Sequence, residues 1–561
     1  MRPHTVNMAF LSTLHSWVLS PALFVVLLTF VGLTALQWSR RQQKGTLATM
    51  PGPGGNPFTG IGLSMPPRAP EVFRQWAREY GEVFKVRIGW YDWVVVNSPE
   101  AFREIFDKQS ISTSSKIPAP IGHDLVTGNL RMFTMSYGPK WRAHRTIMHQ
   151  LLAPKATLSF VPSQEFEVKQ FIYQLAFEND DYGAFYQHVR RLSFSIVMTS
   201  TYGRRIGSWD HPDVKAAGET SALLGRITRP GAFPEDDLPL LAMLPKWLQP
   251  SRKAAKGYAD IILRGKMRSW NQLKAEHAAG RAPPSFGRTL LESDYAAKGL
   301  TDEDCAWIVG GLIEAGAEIT SVVINNLILY LAANPSVQRK AHEELERVVG
   351  PSRTPTFDDL PNLPYIRAGV KEILRLCPVP TWAIKHFSDA EVVYKQHRIP
   401  AGTVLLANTS AMHFDPERYP EPHVFRPERY LGHPRSSAEY AVSSDPYARD
   451  HFTFGGGRRM CPAARLAENT LDITAANLLW AFELLPPPAT KSDGTEGSVA
   501  IDTSEEAFQP GAFRAPKPFK VHFRPRSGSA EDLVRRQWER ARVEGYRLRG
   551  MTVSAEGVAV A

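Results

Sequence analysis

The stretch Phe454–Ala467, FGGGRRMCPAARLA, constrains this chain more than any other. One cysteine, Cys461, stands between a glycine-rich turn and a run of helix formers. With Phe454 ahead of it, the turn draws on Gly455 and Gly457 for backbone angles closed to other residues. Pro462 suits the first turn of a helix, where its missing N–H costs nothing. Ala463, Ala464, Leu466, Ala467 and Leu471 continue with helix formers and an apolar stripe. The sulfur is therefore expected at a helix N-terminus beside Arg458 and Arg459, where dipole and guanidinium favour thiolate over thiol. A lone thiolate behind a glycine loop suits the axial position on a haem iron. A plain structural cysteine is the competing reading. A phosphate loop is a poorer one, because no Lys-Ser/Thr pair follows the glycines.

The other cysteines, Cys305 and Cys377, make neither a disulfide framework nor a zinc site with Cys461. They read as small buried hydrophobes. Lys and Arg number 66 against 56 Asp and Glu, a balance of +10 over 561 residues. So slight an excess, with no basic–aromatic platform or zinc-finger spacing, gives no sign of nucleic acid and suits a membrane surface or an acidic partner protein.

Trp17–Trp38 carries no charge and is long enough to cross a bilayer core as a helix, with a tryptophan at each interface. Arg40, Arg41 and Lys44 follow it and only Arg2 precedes it, which puts the following body in the cytoplasm. A cleaved signal peptide would have a shorter apolar run and charges ahead of it. Prolines and glycines from Pro51 to Pro70 then make a stiff, bent connector.

Val72–Tyr80 reads as a helix. Glu82–Ile88 and Trp93–Asn97 read as strands of a hairpin. Ser110–Leu130 has no period and reads as a loop. Trp141 and Arg145 lie four apart on one helical face, where an indole N–H and a guanidinium suit a carboxylate. Ala156–Ala297 is mostly helical, broken at Pro230–Pro239 and Pro283–Pro284. Asp302–Val349 is a long helical stretch interrupted near Asn334-Pro335. At its middle, Gly310, Gly311 and Gly316 weaken the helix where a flat cofactor would approach. Glu372 and Arg375, three apart on a helix, can pair. Ala507–Phe523 reads as a closing hairpin.

These motifs, in this order, resemble the signatures of the cytochrome P-450 superfamily over about Pro51 to Arg526. F-G-x-G-x-R-x-C-x-A at Phe454–Ala463 is similar to its haem loop, with Ala463 at the usual glycine. Lys371–Arg375 resembles E-x-x-R, and Phe425–Tyr430 resembles the segment whose arginine, Arg429, completes a structural triad with Glu372 and Arg375. Ile399–Thr403 is similar to I-P-x-G-T. Ala315-Gly316-Ala317-Glu318 resembles the oxygen-binding groove, but Ile319 stands at its first threonine, so proton delivery falls to Glu318, Thr320, water or a substrate hydroxyl. Ile319 has no hydrogen-bonding group, and Thr320 lies about 100° further round a helix.

The resemblance implies a mainly α fold with small β-sheets (α+β), haem b lying between the long groove helix and the cysteine-loop helix. Cys461 is implied as metal ligand, with Trp141, Arg145, His386, Phe454, Gly455, Gly457 and Arg459 binding the cofactor. Lys385 and His386 share the place of a propionate ligand, and pattern does not separate them. The implied activity is insertion of one atom of O₂ into an apolar small molecule, by hydroxylation or epoxidation, in secondary metabolism or aromatic-compound oxidation. Non-monooxygenase haem-thiolate chemistry and a non-catalytic haem protein are the alternatives. With no flavin or dinucleotide fingerprint, electrons come from another protein: an NADPH–cytochrome reductase, with cytochrome b5 as an optional donor. Lys140, Arg142 and Arg458 are candidates for its docking face. The implied location is the endoplasmic reticulum membrane. The expected organisation is a short lumenal segment (1–16), an anchor (17–38), a hinge (39–70), the catalytic body (71–526) and an exposed or disordered tail (527–561), with a basic helix over Leu533–Arg542.

Overall fold

The computed structural model describes residues 46–56, 59–66, 68–179, 181–229, 231–381, 385–490, 496–511 and 513–560, with 29–32 and 34 as a helical fragment. The expected anchor, 17–38, thus lies almost wholly outside the described residues.

Helix α1 (Ala69–Tyr80) leads into an antiparallel pair, β1 (Val83–Ile88) and β2 (Tyr91–Val96). The main helices follow: α2 (Pro139–Leu151), α3 (Val161–Phe177), α4 (Phe185–Tyr202), α5 (Ser251–Ala278), α6 (Asp302–Ala333) and α7 (Pro364–Leu376). Strands β3 (His386–Phe387) and β4 (Val404–Ala407) complete a four-stranded sheet in the order β1-β2-β4-β3, with β2 and β4 parallel. Helix α8 (Ala464–Ala481) runs into β5 (Phe482–Leu485), which pairs with β6 (His522–Pro525). The mainly helical architecture with small sheets matches expectation. The closing hairpin is only partly formed: Phe508 and Pro516 make an isolated bridge, and the longer pairing is β5 with β6.

Helix α6 starts sharply because Thr301 and Asp304 form a reciprocal capping box. It is apolar on nearly every side. Among the described residues it is the one helix long and apolar enough to cross a membrane. Yet Ile324 and Ile328 are fully buried in a core shared with α3, α4, α7 and α8, so its apolarity belongs to packing. Gly316 lets α4 come close, since a Cβ there would sit 3.0 Å from Val197.

The tail corrects the sequence reading. Residues 528–560 form helix α9 (Gly528–Glu544) and a small sheet of β7 (Tyr546–Leu548), β8 (Met551–Val553) and β9 (Ala559–Val560). Val534, Trp538, Ala541, Tyr546, Leu548 and Val553 are buried against the body. The basic residues that suggested exposure occupy the outer face of α9 and hid its apolar stripe. Beneath the tail, fully buried Glu167 on α3 pairs with Arg191 of α4 and, at 2.7 Å, with Arg205. Arg205 also donates to the backbone carbonyl of Ala555 and lies over Trp538.

Candidate functional site

The cysteine loop folds as its glycines demand. Gly455 and Gly457 hold φ of +67° and +54°, in the left-handed region that favours glycine. A side chain at Gly457 would also run into the backbone oxygen of Phe106. Gly456, not singled out by pattern, is equally constrained, because a Cβ there would strike Phe102 and Asp107. Asp107 accepts the Gly457 N–H at 2.6 Å. The turn closes with the Cys461 N–H donating to Phe454 O at 2.8 Å, and α8 begins three residues after the cysteine.

The electrostatics of the sulfur differ from expectation. Burial pushes the Cys461 thiol up, against the Ala463 N–H and Arg145, which pull it down. Arg145, rather than Arg458, is the arginine that faces it. Arg458 is exposed and stacks on Tyr137. A thiolate here therefore needs a cation on the sulfur, as metal coordination provides.

Around the loop the structure gathers cationic donors that lack an anion. Arg459 lies 4.4 Å over the Trp141 ring and donates to the carbonyls of Ser114, Met132 and Met135. Arg145 donates to Met460 O at 2.5 Å. Lys116, 6% exposed, donates to Lys385 O, and burial drives its pKa well below the usual lysine value. The Trp141 Nε1–H is buried without a partner. Among the described residues none of these three cations forms an ion pair within 4 Å. So many buried donors around one thiol fit a flat cofactor carrying carboxylates, and they match haem propionates.

Their contacts separate Lys385, just ahead of β3, from His386, the first residue of that strand. Lys385 lies over Trp93, 5.0 Å from its ring centroid. The His386 ring faces Phe106 and bonds to Thr113 O at 2.7 Å. Burial, then Lys116 and Arg459, hold it neutral. His386 thus joins the cationic cluster. Lys116 was missed because the loop around it has no period and nothing in sequence marks it.

Across from the cysteine loop runs α6. Ile319 and Phe454 pack against one apolar core. Glu318 accepts from Arg190 of α4 at 2.6 Å, and Arg190 stacks on Trp209. Both Glu318 and Arg190 remain about a third exposed. Thr320 is half-buried beside them in sequence. Sequence reasoning found the carboxylate and not its arginine, which lies 128 residues away.

Glu372, Arg375 and Arg429 meet behind the loop, not in the cationic cluster. Arg375 binds both oxygens of Glu372, at 2.7 and 2.8 Å, and Arg429 reaches Glu372 at 3.2 Å. Arg375 also donates to His413 O at 2.6 Å. Such a buried pair holds only because its remaining donors are also satisfied.

A long central helix facing a glycine-bound cysteine, with a buried Glu–Arg–Arg triad behind it, defines a haem-thiolate protein, and the chain belongs to the cytochrome P450 family, whose model matches residues 50–508. It is 50% identical to cytochrome P450 monooxygenase pgmC of Aspergillus terreus over 95% of this chain and 96% of the relative. It is 34% identical to cytochrome P450 monooxygenase verL of Clonostachys rogersoniana, covering 91% and 92%. It is 32% identical to cytochrome P450 monooxygenase yanC of Aspergillus niger, covering 88% and 92%. The protein is accordingly a haem-thiolate monooxygenase using haem b and a redox partner, and non-monooxygenase chemistry is not favoured.

Proposed function

We propose that the chain is a membrane-anchored monooxygenase of secondary metabolism that hydroxylates or epoxidises an apolar small molecule with electrons from an NADPH–cytochrome reductase. The observation that carries the reading is the cluster of buried cationic donors around Cys461. When bound, haem b with a thiolate ligand supplies O₂ activation and insertion of one oxygen atom. Cys461 would hold its iron through the thiolate, with the loop N–H groups orienting the sulfur. Trp141, Arg145, Arg459, Lys116 and His386 would hold the propionates, while Phe454, Gly455 and Gly457 shape the loop. Glu318 is the proton-holding group, oriented by Arg190, and Thr320 hands protons on from it. Ile319 keeps that stretch of the groove apolar and dry.

In this reading 17–38 is the anchor and 39–70 the hinge, on the apolar span and the charges after it, and the family resemblance supports a cytoplasmic body on the endoplasmic reticulum membrane. Exposed Leu63, Met243 and Trp247, beside Lys246, support a body resting on a lipid surface. Lys140, Arg142 and Arg458 are exposed and suit an acidic reductase. Cytochrome b5 would use the same face.

The test is the reduced, CO-bound difference spectrum of the purified protein beside Cys461→Ala. A Soret band far to the red of imidazole-ligated haem, lost in the variant, supports the reading. An imidazole-like spectrum overturns it.

A further inference from the structure

One face of α6 is open at the stretch from Gly311 to Ala315. A Cβ added at Gly311 would touch nothing within 4 Å, and Ala315, one turn on, is exposed. Glu314 borders this open strip. Arg131 Nε donates to its Oε2 at 3.1 Å, and Lys266 Nζ of α5 donates to its Oε1. The side chains of Arg131, Lys266 and Glu314 are only 16%, 5% and 12% exposed. Burial pushes the Glu314 carboxyl up, but Lys266 and Arg131 together hold it below its ordinary value, so it is ionised.

Two cations share one carboxylate here, leaving one positive charge in excess at a desolvated position. Among the described residues neither cation has a second carboxylate within 4 Å, and aromatic rings face them instead, Phe133 under Arg131 at 5.3 Å. Lys266 lies over the Trp307 ring at 4.6 Å. The buried Tyr202 hydroxyl, without a hydrogen-bond partner, flanks Gly310 together with Lys266. The His123 ring is pushed down to about 4 by burial, Arg131 and Lys116, and so is neutral. The triad also belongs to the active centre: the next carbonyl after Arg131, that of Met132, accepts from Arg459 at 3.1 Å. An uncompensated buried charge is costly unless it meets a partner.

We propose that Arg131 and Lys266, spaced by Glu314, select substrates carrying one acidic oxygen, a carboxylate or phenolate, on an otherwise apolar frame. The inference rests on the haem-thiolate reading and adds the substrate class to it. The acidic oxygen is an anchor and keeps its charge. The oxidised bond is a separate C–H, which with O₂, two electrons from the reductase and two protons gives C–OH and one water. The three elements carrying the triad converge only on folding, so a substrate's acidic oxygen also ties the 126–138 loop to α5 and α6.

The test titrates the haem-loaded full chain with naphthalene-2-carboxylate and, separately, naphthalene-2-carboxamide, read by the optical difference spectrum. A charge-assisted contact predicts that the acid binds about tenfold or more tightly than the amide. Arg131→Met should abolish that preference and leave amide binding in place. Glu314→Gln frees a second cation and should tighten the acid by about tenfold. A triad with a purely structural role would instead weaken both ligands alike in both variants, and that result overturns the proposal. So does equal affinity for acid and amide, or no response to the acid, in wild-type protein whose CO spectrum shows the thiolate. If Arg131→Met fails to take up haem, Glu314→Gln decides by the sign of its effect. Absence of the thiolate spectrum in wild type identifies a failure of the haem-thiolate reading instead.

Discussion

The backbone N–H of Phe452 donates to Nε2 of His413 at 2.8 Å. The other ring nitrogen of His413 bonds the carbonyl of Arg375 at 2.9 Å, so the imidazole is neutral and protonated on Nδ1. One histidine thus carries the position of the Glu372–Arg375 pair to the segment that begins the cysteine loop.

That role makes the loop acid-sensitive. Burial, then His451 and Arg375, place the His413 pKa well below 6.5. A folded pKa below the unfolded one contributes stability above about pH 6.5 that is lost as pH falls below it. Between pH 7 and 5, the thermal midpoint of His413→Gln should therefore fall less steeply than that of wild type. Parallel slopes would refute the assignment of a neutral, accepting His413.

Breaking the buried triad should be severe. Glu372→Gln leaves Arg375 with an uncompensated charge at a fully buried position, a loss of about 3–5 kcal/mol. Expected results are a lower urea midpoint and little haem uptake on expression. Arg429→Ala, at the rim of the pair, should cost less, and equal losses in the two variants would contradict this ordering.

The proton-holding assignment predicts a kinetic split. Glu318→Gln should lower kcat with little change in substrate affinity, and should increase the share of reductase electrons lost to hydrogen peroxide. Arg190→Leu should act in the same direction through the orientation of Glu318. Unchanged coupling of NADPH use to product in both variants would remove Glu318 from proton delivery.

The C-terminal segment should behave as part of the core. Trp538→Ala removes a buried ring that packs on Phe166, a loss of about 3–5 kcal/mol. Differential scanning calorimetry should show a single lowered transition. An unchanged midpoint would mean that α9 is detachable.

The parts most legible in the sequence were those fixed by local chemistry. The glycine turn announces itself because positive φ leaves few alternatives to glycine, and Glu372–Arg375 shows because helical spacing pairs them. The cationic cluster was only half legible. Trp141 and Arg145 share a helix turn, whereas Lys116 lies in an aperiodic loop and reaches the site only through tertiary folding. Arg458 and Arg459 stand side by side in sequence yet face solvent and the site respectively, a choice made by the tight turn at Gly457–Arg459. The thiol's balance was misjudged because dipole and neighbouring charges can be read from sequence but desolvation cannot. The tail is half legible for a related reason: its basic helix shows in the arginines, while the burial of Val534, Trp538 and Ala541 depends on a surface that only the fold supplies.

The contact of Arg205 with Ala555 spans 350 positions. During synthesis Glu167, Arg191 and Arg205 are made long before the residues that cover them, so for most of translation this corner of the body stays open to water. Haem can be gripped by the cysteine loop only after residue 461 emerges, and the cover arrives later still. Maturation of this corner thus ends with the C-terminal segment, and a chain truncated just before α9 would contain every haem-loop residue while the Glu167–Arg205 corner stayed unsealed.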